Sequence, residues 1–339
     1  MPSAEQRPIR LPETPAVLGV RHAVRAWLTG FGPQRRCVAV ALSGGADSLA
    51  LTAAALAEAA EVHALIVDHR LQDGSDVVAA TAAATARSLG CRSARVLPVE
   101  VSGAGGMEAA ARHARYTALD EARSGLPVLL GHTLDDQAET VLLGLGRGSG
   151  ARSIQGMAPS DGPWGRPLLG VRRETTRQFC ADLALTPYED PHNSAPEFTR
   201  VRLRTEVLPL LEEVLGGAVA PALARTAEQL REDNAALDEF AGELLVRAGT
   251  GSPVCAVLAV AAAAVRRRAV RAWLLSQGIS GVTGKHIRGI DDLVVAWRGQ
   301  GGVAVGGGER GTRLVVVREH GRLTLARTDR ERRDRRETS

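Results

Sequence analysis

Over roughly the first 150 residues, short β-branched apolar runs alternate with Ala-rich helical stretches about thirty residues apart, the pattern of repeated βα units feeding a parallel sheet. Four strands are predicted: Cys37–Leu42 (CVAVAL), Val62–Val67 (VHALIV), Ala94–Val101 (ARVLPVEV) and Pro127–His132 (PVLLGH). Each is nearly continuous in apolar residues, which predicts burial on both faces. A helix should follow each one, from near Asp47, Gly74, Met107 and Thr133. The expected fold is α/β, a doubly wound, mainly parallel sheet, in which ligands sit at the carboxyl ends of the strands. The loops after Leu42, Val67 and His132 are therefore the places for chemistry.

Beyond Gly144 the periodicity lapses through a Gly/Ser/Pro-rich stretch and resumes as a helix near Glu174–Leu183. A polar loop over 186–199 leads into an Arg-bearing helix ending at Leu210-Leu211. After Gly216-Gly217 a long helix runs to about Ala248, followed by helices near Ala262–Gln277 and Thr283–Arg298 and β-like runs at Val303–Val305 and Leu314–Arg318. The expected organisation is a disordered N-terminus (1–15), an α/β domain (16–215), a connector helix with a smaller, mainly helical domain (216–320), and a charged, disordered tail (321–339).

Charge sharpens that division. The chain carries 41 Arg and one Lys (Lys285) against 38 acids, a net of +4. Residues 1–215 hold 22 Arg against 24 acids, whereas residues 216–339 hold 20 basic residues against 14 acids. A slightly acidic first part and a basic second part suggest a polyanionic partner for the second. Cys37, Cys91, Cys180 and Cys255 are far apart with no C-x-x-C pair, which argues against a structural zinc, an iron–sulfur site or a disulfide framework. No secretory leader or apolar span is evident, so a cytoplasmic location without membrane contact is expected.

The sharpest local signal is Ser43-Gly44-Gly45-Ala46-Asp47-Ser48, directly after a predicted strand and before a helix. Two glycines let the backbone turn with its N–H groups converging, and Ser43, Ser48 and the helix N-terminus add donors and positive potential. That is a cradle for pyrophosphate; the plainer reading is a Ser/Asp cap on turn glycines. It is neither a Walker loop, whose lysine is missing, nor the G-x-G-x-x-G fingerprint. At the end of the fourth strand stands Gly131–Thr140 (GHTLDDQAET). A helix from Thr133 spaces Asp135 and Glu139 at i,i+4 and Asp136 and Glu139 at i,i+3, so three carboxylates crowd one face. Such crowding calls for Mg2+ with ATP phosphates or a substrate ammonium, unless the acids only answer the helix dipole.

Weaker signals lie around these two. In ARHARY, Arg112, Arg115 and Tyr116 share a helix face, and guanidinium groups suit phosphate or carboxylate; an ordinary ion pair of Arg112 with Glu108 is the competing reading. In VDHRL, Asp68 is placed to face the ligand crevice, while His63, His69 and His132 read as loop histidines. In Glu189–Leu211, Arg200 and Arg204 point one way and Arg202 the other, as suits a phosphodiester backbone or a solvated helix. Arg266, Arg267, Arg268, Arg271, Lys285, His286 and Arg288 suggest a basic surface with Trp273 and Trp297 nearby. Aromatics are too sparse for a base-stacking platform, which leaves recognition to charge and shape.

The hexapeptide S-G-G-x-D-S resembles the PP-loop of the ATP pyrophosphatase superfamily, enzymes that split ATP into AMP and pyrophosphate while adenylating an oxygen. Taken in order over about residues 37–211, SGGADS, VDHRL, ARHARY, GHTLDDQAETVLLGLGRGSG, Arg166-Pro167-Leu168-Leu169 and EDPHNSAPEFTRVRLRTEVLPLL resemble the tRNA(Ile)-lysidine synthetases. The resemblance implies an adenine-nucleotide alpha hydrolase-like fold. It implies a ligase that joins the ε-amine of free L-lysine to C2 of the wobble cytidine of the CAU-anticodon tRNA(Ile), through an adenylated cytidine, giving AMP and pyrophosphate. ATP is then a substrate and Mg2+ a cofactor. The amides of Ser43, Gly44, Gly45, Ala46, Asp47 and Ser48 would hold the phosphates with Asp68 beside the nucleotide, and Asp47 and Asp136 would place Mg2+. Asp135, Asp136 and Glu139 would attract the lysine ammonium, whose solution pKa is near ~10.4, and deprotonate it. Arg112 and Arg115 would steady substrate or pyrophosphate, and Arg200, Arg202 and Arg204 would meet the tRNA, whose wobble base must leave its stack. Gln72 stands where Arg is expected in many relatives, and residues 216–320 match only loosely, their length leading us to expect the small domain without the additional C-terminal domain of longer members.

Two other readings compete. A tRNA thiolation enzyme of the same superfamily would need paired or cleft cysteines, and no cysteine here lies in a motif, although Cys180 stays open. A non-catalytic nucleotide-binding module would have no use for three crowded carboxylates. A homodimer through the connector helix is compatible with the pattern, which shows no heptad demanding it.

Overall fold

The computed structural model describes residues 9–30, 37–70, 74–101, 106–148, 150–191, 195, 197–306 and 312–329; Gln72 and the side chain of Glu108 lie outside the described residues. The chain builds α1 (Pro15–Gly30), β1 (Cys37–Ala41), α2 (Ala46–Glu58), β2 (Glu61–Asp68), α3 (Ser75–Leu89), β3 (Ser93–Pro98), α4 (Met107–Ala122) and β4 (Val128–Leu129). There follow α5 (Leu134–Arg147), α6 (Ala151–Ile154), β5 (Ser160–Asp161), β6 (Trp164–Gly165), α7 (Arg173–Asp182), α8 (Thr199–Arg202), a π-helical turn (Leu203–Val207) and α9 (Leu208–Leu215).

The sheet order is β3-β2-β1-β4-β6-β5, parallel throughout except for β5 against β6. Strand order reverses direction between β1 and β4, so the crevice beyond their carboxyl ends is the switch point where such sheets take ligands. Alternation along the central strands feeds two cores. Val38, Val40, Leu42, Val62, Ala64 and Ile66 pack with residues of α1, α2, α3 and α7 on one face, and Ala39, Ala41 and Leu65 meet Leu119 and Ala122 of α4 on the other. Helix α2 is buried continuously from Ser48 to Leu56, and its Ala-rich sequence lets it lie close against α1, α7 and the sheet.

Two predicted strands differ from expectation. β3 is an edge strand, with Val96 39% exposed and Arg95 turned to solvent, because only one neighbour covers it. β4 keeps just two ladder residues, although Leu130 N–H still donates to Gly165 C=O at 2.8 Å.

Two compact units divide the chain at Glu228/Gln229, inside α10 (Val219–Ala248) rather than before it. The second unit contains the end of α10, α11 (Cys255–Ala259), α12 (Ala263–Ser276), α13 (Gly284–Val295) and an antiparallel sheet β7 (Val303–Val305), β8 (Thr312–Glu319), β9 (Arg322–Asp329). Its core centres on Leu244, Leu258, Trp273, Leu274, Ile290, Val316 and Leu323. Strand β9 occupies chain expected to be disordered, because Leu323 and Leu325 complete this core. At the other end, Ile9 and Leu11 likewise pack against the first unit's core instead of being loose. Among the described residues no single helix is long and apolar enough to cross a membrane.

Candidate active site

The chain leaves β1 at Leu42 and enters the Ser43–Ser48 loop. Gly44 has φ +89°, a left-handed conformation that disfavours any side chain, and its carbonyl accepts the Tyr188 N–H at 2.9 Å. The loop is cinched from within: Ser43 N–H donates to Ser48 Oγ (3.2 Å) and Ser48 Oγ–H to Gly45 C=O (2.9 Å). No side chain caps α2 at Gly45, contrary to the plainer reading of the motif, so the amides of the first turn keep their capacity for an anion. Beside the loop, a cleft of about 320 Å³ runs along the ends of β1 and β2, walled by Leu42, Leu65, Val78 and Ala79 with Asp68 and Arg115 as polar groups. Asp68 is buried there, its Oδ1 accepting Arg70 N–H at 3.0 Å.

The second loop comes up against the first. A Cβ on Gly131 would lie 3.1 Å from the Asp47 carbonyl carbon and the Ser48 nitrogen, so only glycine fits this approach comfortably. Helix α5 opens with a reciprocal cap: Asp136 N–H donates to Thr133 Oγ1, while Asp136 Oδ2 accepts from Thr133 N–H (2.7 Å) and Oγ1–H (2.8 Å). The cap aims the other oxygen of Asp136 at Arg173, the residue that organises the site. Its Nη2 lies 2.6 Å from Asp136 Oδ1, its Nη1 3.3 Å from Glu139 Oε1 and its Nε 3.6 Å from Asp47 Oδ2. Its backbone N–H donates to Asp135 Oδ2 (2.7 Å), and Arg172 pairs with Asp135 at 3.1 Å. Glu139, 0% exposed, also receives Arg204 at 2.9 Å from the π-helical turn. Such turns re-aim side chains at functional places. Thr176 Oγ1–H donates to Asp47 Oδ1.

Asp47, Asp135, Asp136 and Glu139 thus converge, and the crowding expected to call for Mg2+ or a substrate ammonium is met by the protein's own Arg172, Arg173 and Arg204. Burial would raise the Asp136 carboxyl, but the charge of Arg173, the Thr133 amide, His132 and the Thr133 hydroxyl hold it below its ordinary range. Burial wins at Asp47, which is raised despite Thr176 and Arg173. Sequence reasoning missed Arg173. Its signal was a second arginine at the first position of a helix, where the dipole disfavours a cation unless acids stand opposite.

A second set of groups acts on two histidines. Burial, followed by Arg115, lowers His69, and burial with Arg115, Arg166 and Arg112 outweighs Asp136 to pull His132 down to about 3. Arg115 itself is lowered, mainly by burial. Arg112 stacks 4.9 Å over Tyr116, which meets Trp164 edge-on at 4.7 Å, while Arg115 lines the cleft with Asp68. Arg202 pairs with Glu206 at 2.8 Å on the surface, and Arg204 is turned into the acid cluster rather than onto an open face with Arg200. In the second unit Arg266 and Arg267 both bind Asp291, 2% exposed, at 2.5 and 2.7 Å, and Arg268 binds Asp238 at 2.7 Å. Trp273 is core, so the expected basic surface is reduced to exposed residues such as Lys285 and Arg288.

Three thiols are quiet. Burial pushes Cys91 up to about 12 and Cys180 up to about 11, and raises Cys255, so none is an activated nucleophile for sulfur transfer. For Mg2+, the acids are brought together by arginines rather than around a metal, and no group of three or more carboxylate, histidine or cysteine side chains is arranged to hold a metal ion among the described residues. Mg2+ usually keeps its waters and takes one or two carboxylates with phosphate oxygens. Asp47 fits that use, since it stands on the phosphate loop and its Oδ2 is its less tightly held oxygen.

Residues 20–211 match the PP-loop domain family and residues 255–324 the TilS substrate binding domain. The chain is 66% identical over 323 residues to tRNA(Ile)-lysidine synthase of Rhodococcus erythropolis, covering 95% of this chain and 99% of that one. It is 69% identical over 310 residues to the Nocardia farcinica enzyme of that name (91% and 98% covered) and 61% over 293 residues to that of Mycobacterium tuberculosis (85% and 90%). Among solved structures it resembles the U34-tRNA thiolase NcsA from Methanococcus maripaludis, described with its [4Fe-4S] cluster, with a TM-score of 0.48 and 18% identity over 64% of this chain and 80% of that one. A likeness that distant says nothing of what this chain does. The blocks that line the switch point and the near full-length relatives agree, and the chain belongs to the tRNA(Ile)-lysidine synthase family.

Proposed function

We propose that this enzyme joins the ε-amine of L-lysine to C2 of the wobble cytidine of a CAU-anticodon tRNA(Ile) at the expense of ATP. The observation that carries the reading is Asp47: it stands on the phosphate loop and also faces the acid cluster through Arg173, which supports adjoining places for the nucleotide and the ammonium.

The cytidine C2 oxygen is a poor leaving group. When it attacks the α-phosphorus of ATP, pyrophosphate leaves and the oxygen carries AMP. The lysine amine then attacks C2, the C2–O bond breaks, and AMP departs with that oxygen. The amides of Gly44–Ser48 hold the phosphates, since that of Ser43 is given to Ser48 Oγ, the cleft beside Asp68 takes the nucleoside, and Arg112 and Arg115 neutralise charge on the phosphate side. Asp135, Asp136 and Glu139 receive the lysine ammonium and its proton as the amine attacks. Mg2+, placed by Asp47 and the phosphates, supplies charge neutralisation when bound. Arg200, Arg202 and exposed cations of the second unit such as Lys285 and Arg288 meet the tRNA backbone, while Arg204 holds Glu139 in place. The test is pyrophosphate release from ATP with bulk tRNA. Lysine-dependent release that Asp136→Ala abolishes supports the reading, and release indifferent to lysine overturns it.

A further inference from the structure

The acid cluster poses a problem that the reaction does not explain: the protein's own cation sits on the carboxylates that the substrate's ammonium must reach. Arg173, 16% exposed, spans Asp136, Glu139 and Asp47 with a single guanidinium. Asp136 has no second oxygen to offer, because Thr133 takes it twice. Without a counter-ion the cluster would be costly, since buried carboxylates left unpaired are strongly destabilising. The anchoring of Arg173 is asymmetric. Its backbone is fixed, with the N–H on Asp135 and α7 packed on α2 through Phe179, but the side chain is long and its weakest contact, 3.6 Å, is to Asp47 on the phosphate loop. Triphosphate oxygens at the α2 N-terminus would lie on that side, and guanidinium groups pair with phosphate bidentately and strongly.

We propose that Arg173 is a displaceable counter-ion: it pairs with the carboxylates that lysine must reach, and nucleotide phosphates draw it toward the Ser43–Ser48 loop, opening Asp136 to lysine. This rests on the lysine-ligating reading above. Glu139 keeps Arg204 when Arg173 moves, so the buried acid is never unpaired. The consequence is an order of binding, nucleotide before amino acid, which withholds the site from lysine until ATP is in place.

Calorimetric titration of L-lysine into the wild-type enzyme, with and without a non-hydrolysable ATP analogue and Mg2+, reads this directly. Lysine should bind at least about tenfold more tightly with the nucleotide, within the usual range of coupling between sites. Arg173→Gln should bind lysine without nucleotide about as well as with it, and Arg173→Lys, which keeps a cation there, should retain the dependence. If Arg173→Gln does not fold, the wild-type comparison still decides. Equal wild-type affinity in both states, or a folded Arg173→Gln that still needs nucleotide, overturns the counter-ion while leaving the ligase reading intact. Lysine that binds in neither state also overturns the counter-ion, whereas the ligase reading falls only if pyrophosphate release with tRNA is indifferent to lysine.

Discussion

Glu139 is the residue on which the cluster's stability turns, because it is fully buried and accepts two arginines. Glu139→Ala would leave Arg204 without its partner and Arg173 with fewer. We expect a loss of about 2–3 kcal/mol in urea unfolding, below the ~3–5 kcal/mol of a wholly buried pair because Arg204 is 29% exposed. His132 makes a separate prediction. Its folded-state pKa, about 3, lies below the unfolded value near ~6.5, so between those limits the unfolded chain binds a proton that the folded one refuses. Stability should therefore fall as pH drops from 7 to 5, with a slope of up to about 1.4 kcal/mol per pH unit from this group. His132→Asn should unfold with a visibly flatter pH dependence over that range, while a slope equal to wild type would contradict the assignment. His69, lowered for the same reason, adds in the same direction.

At the scale of elements, α5 shows how a helix start becomes catalytic geometry. Thr133 caps the helix and also fixes Asp136 through two donors. Thr133→Ala should cost about 1–2 kcal/mol as a lost cap and hydrogen bond. It should also raise KM for lysine more than KM for ATP in steady-state assays, since the Ser43–Ser48 loop is untouched. What was legible in the sequence divides along the same line. SGGADS and GHTLDDQAET were readable because their chemistry lies within one turn of chain after a buried strand. Arg173 was not, since it acts across 37 residues on Asp136 and its own neighbourhood names no partner. Helical spacing puts Arg204 on an RNA-facing row with Arg200, and the π-helical turn breaks that spacing. β3 reads as a buried strand by composition, but only sheet order makes it an edge.

For the whole molecule, the split into a slightly acidic first part and a basic second part holds a distinction that charge counting alone blurs. Several arginines in each unit neutralise buried acids: Arg173 and Arg204 in the first, Arg266 and Arg267 around Asp291 in the second. The cations left for RNA are fewer and exposed. Replacing Lys285 and Arg288 together by Ala should weaken tRNA binding and flatten its dependence on salt, with ATP binding unchanged. Filter binding across a salt series measures both, and an unaltered salt slope would remove these residues from the interface. The central claim, that one site activates a tRNA cytidine and delivers lysine to it, is tested most directly by mass analysis of nucleosides from a CAU-anticodon tRNA(Ile) transcript. The transcript would be incubated with the purified enzyme, ATP, Mg2+ and isotopically labelled L-lysine. The account predicts a single cytidine that gains the labelled lysine with loss of water, absent when ATP is omitted or Asp136 is Ala. Unmodified cytidine under the complete conditions, or a modified one without the lysine label, would contradict it.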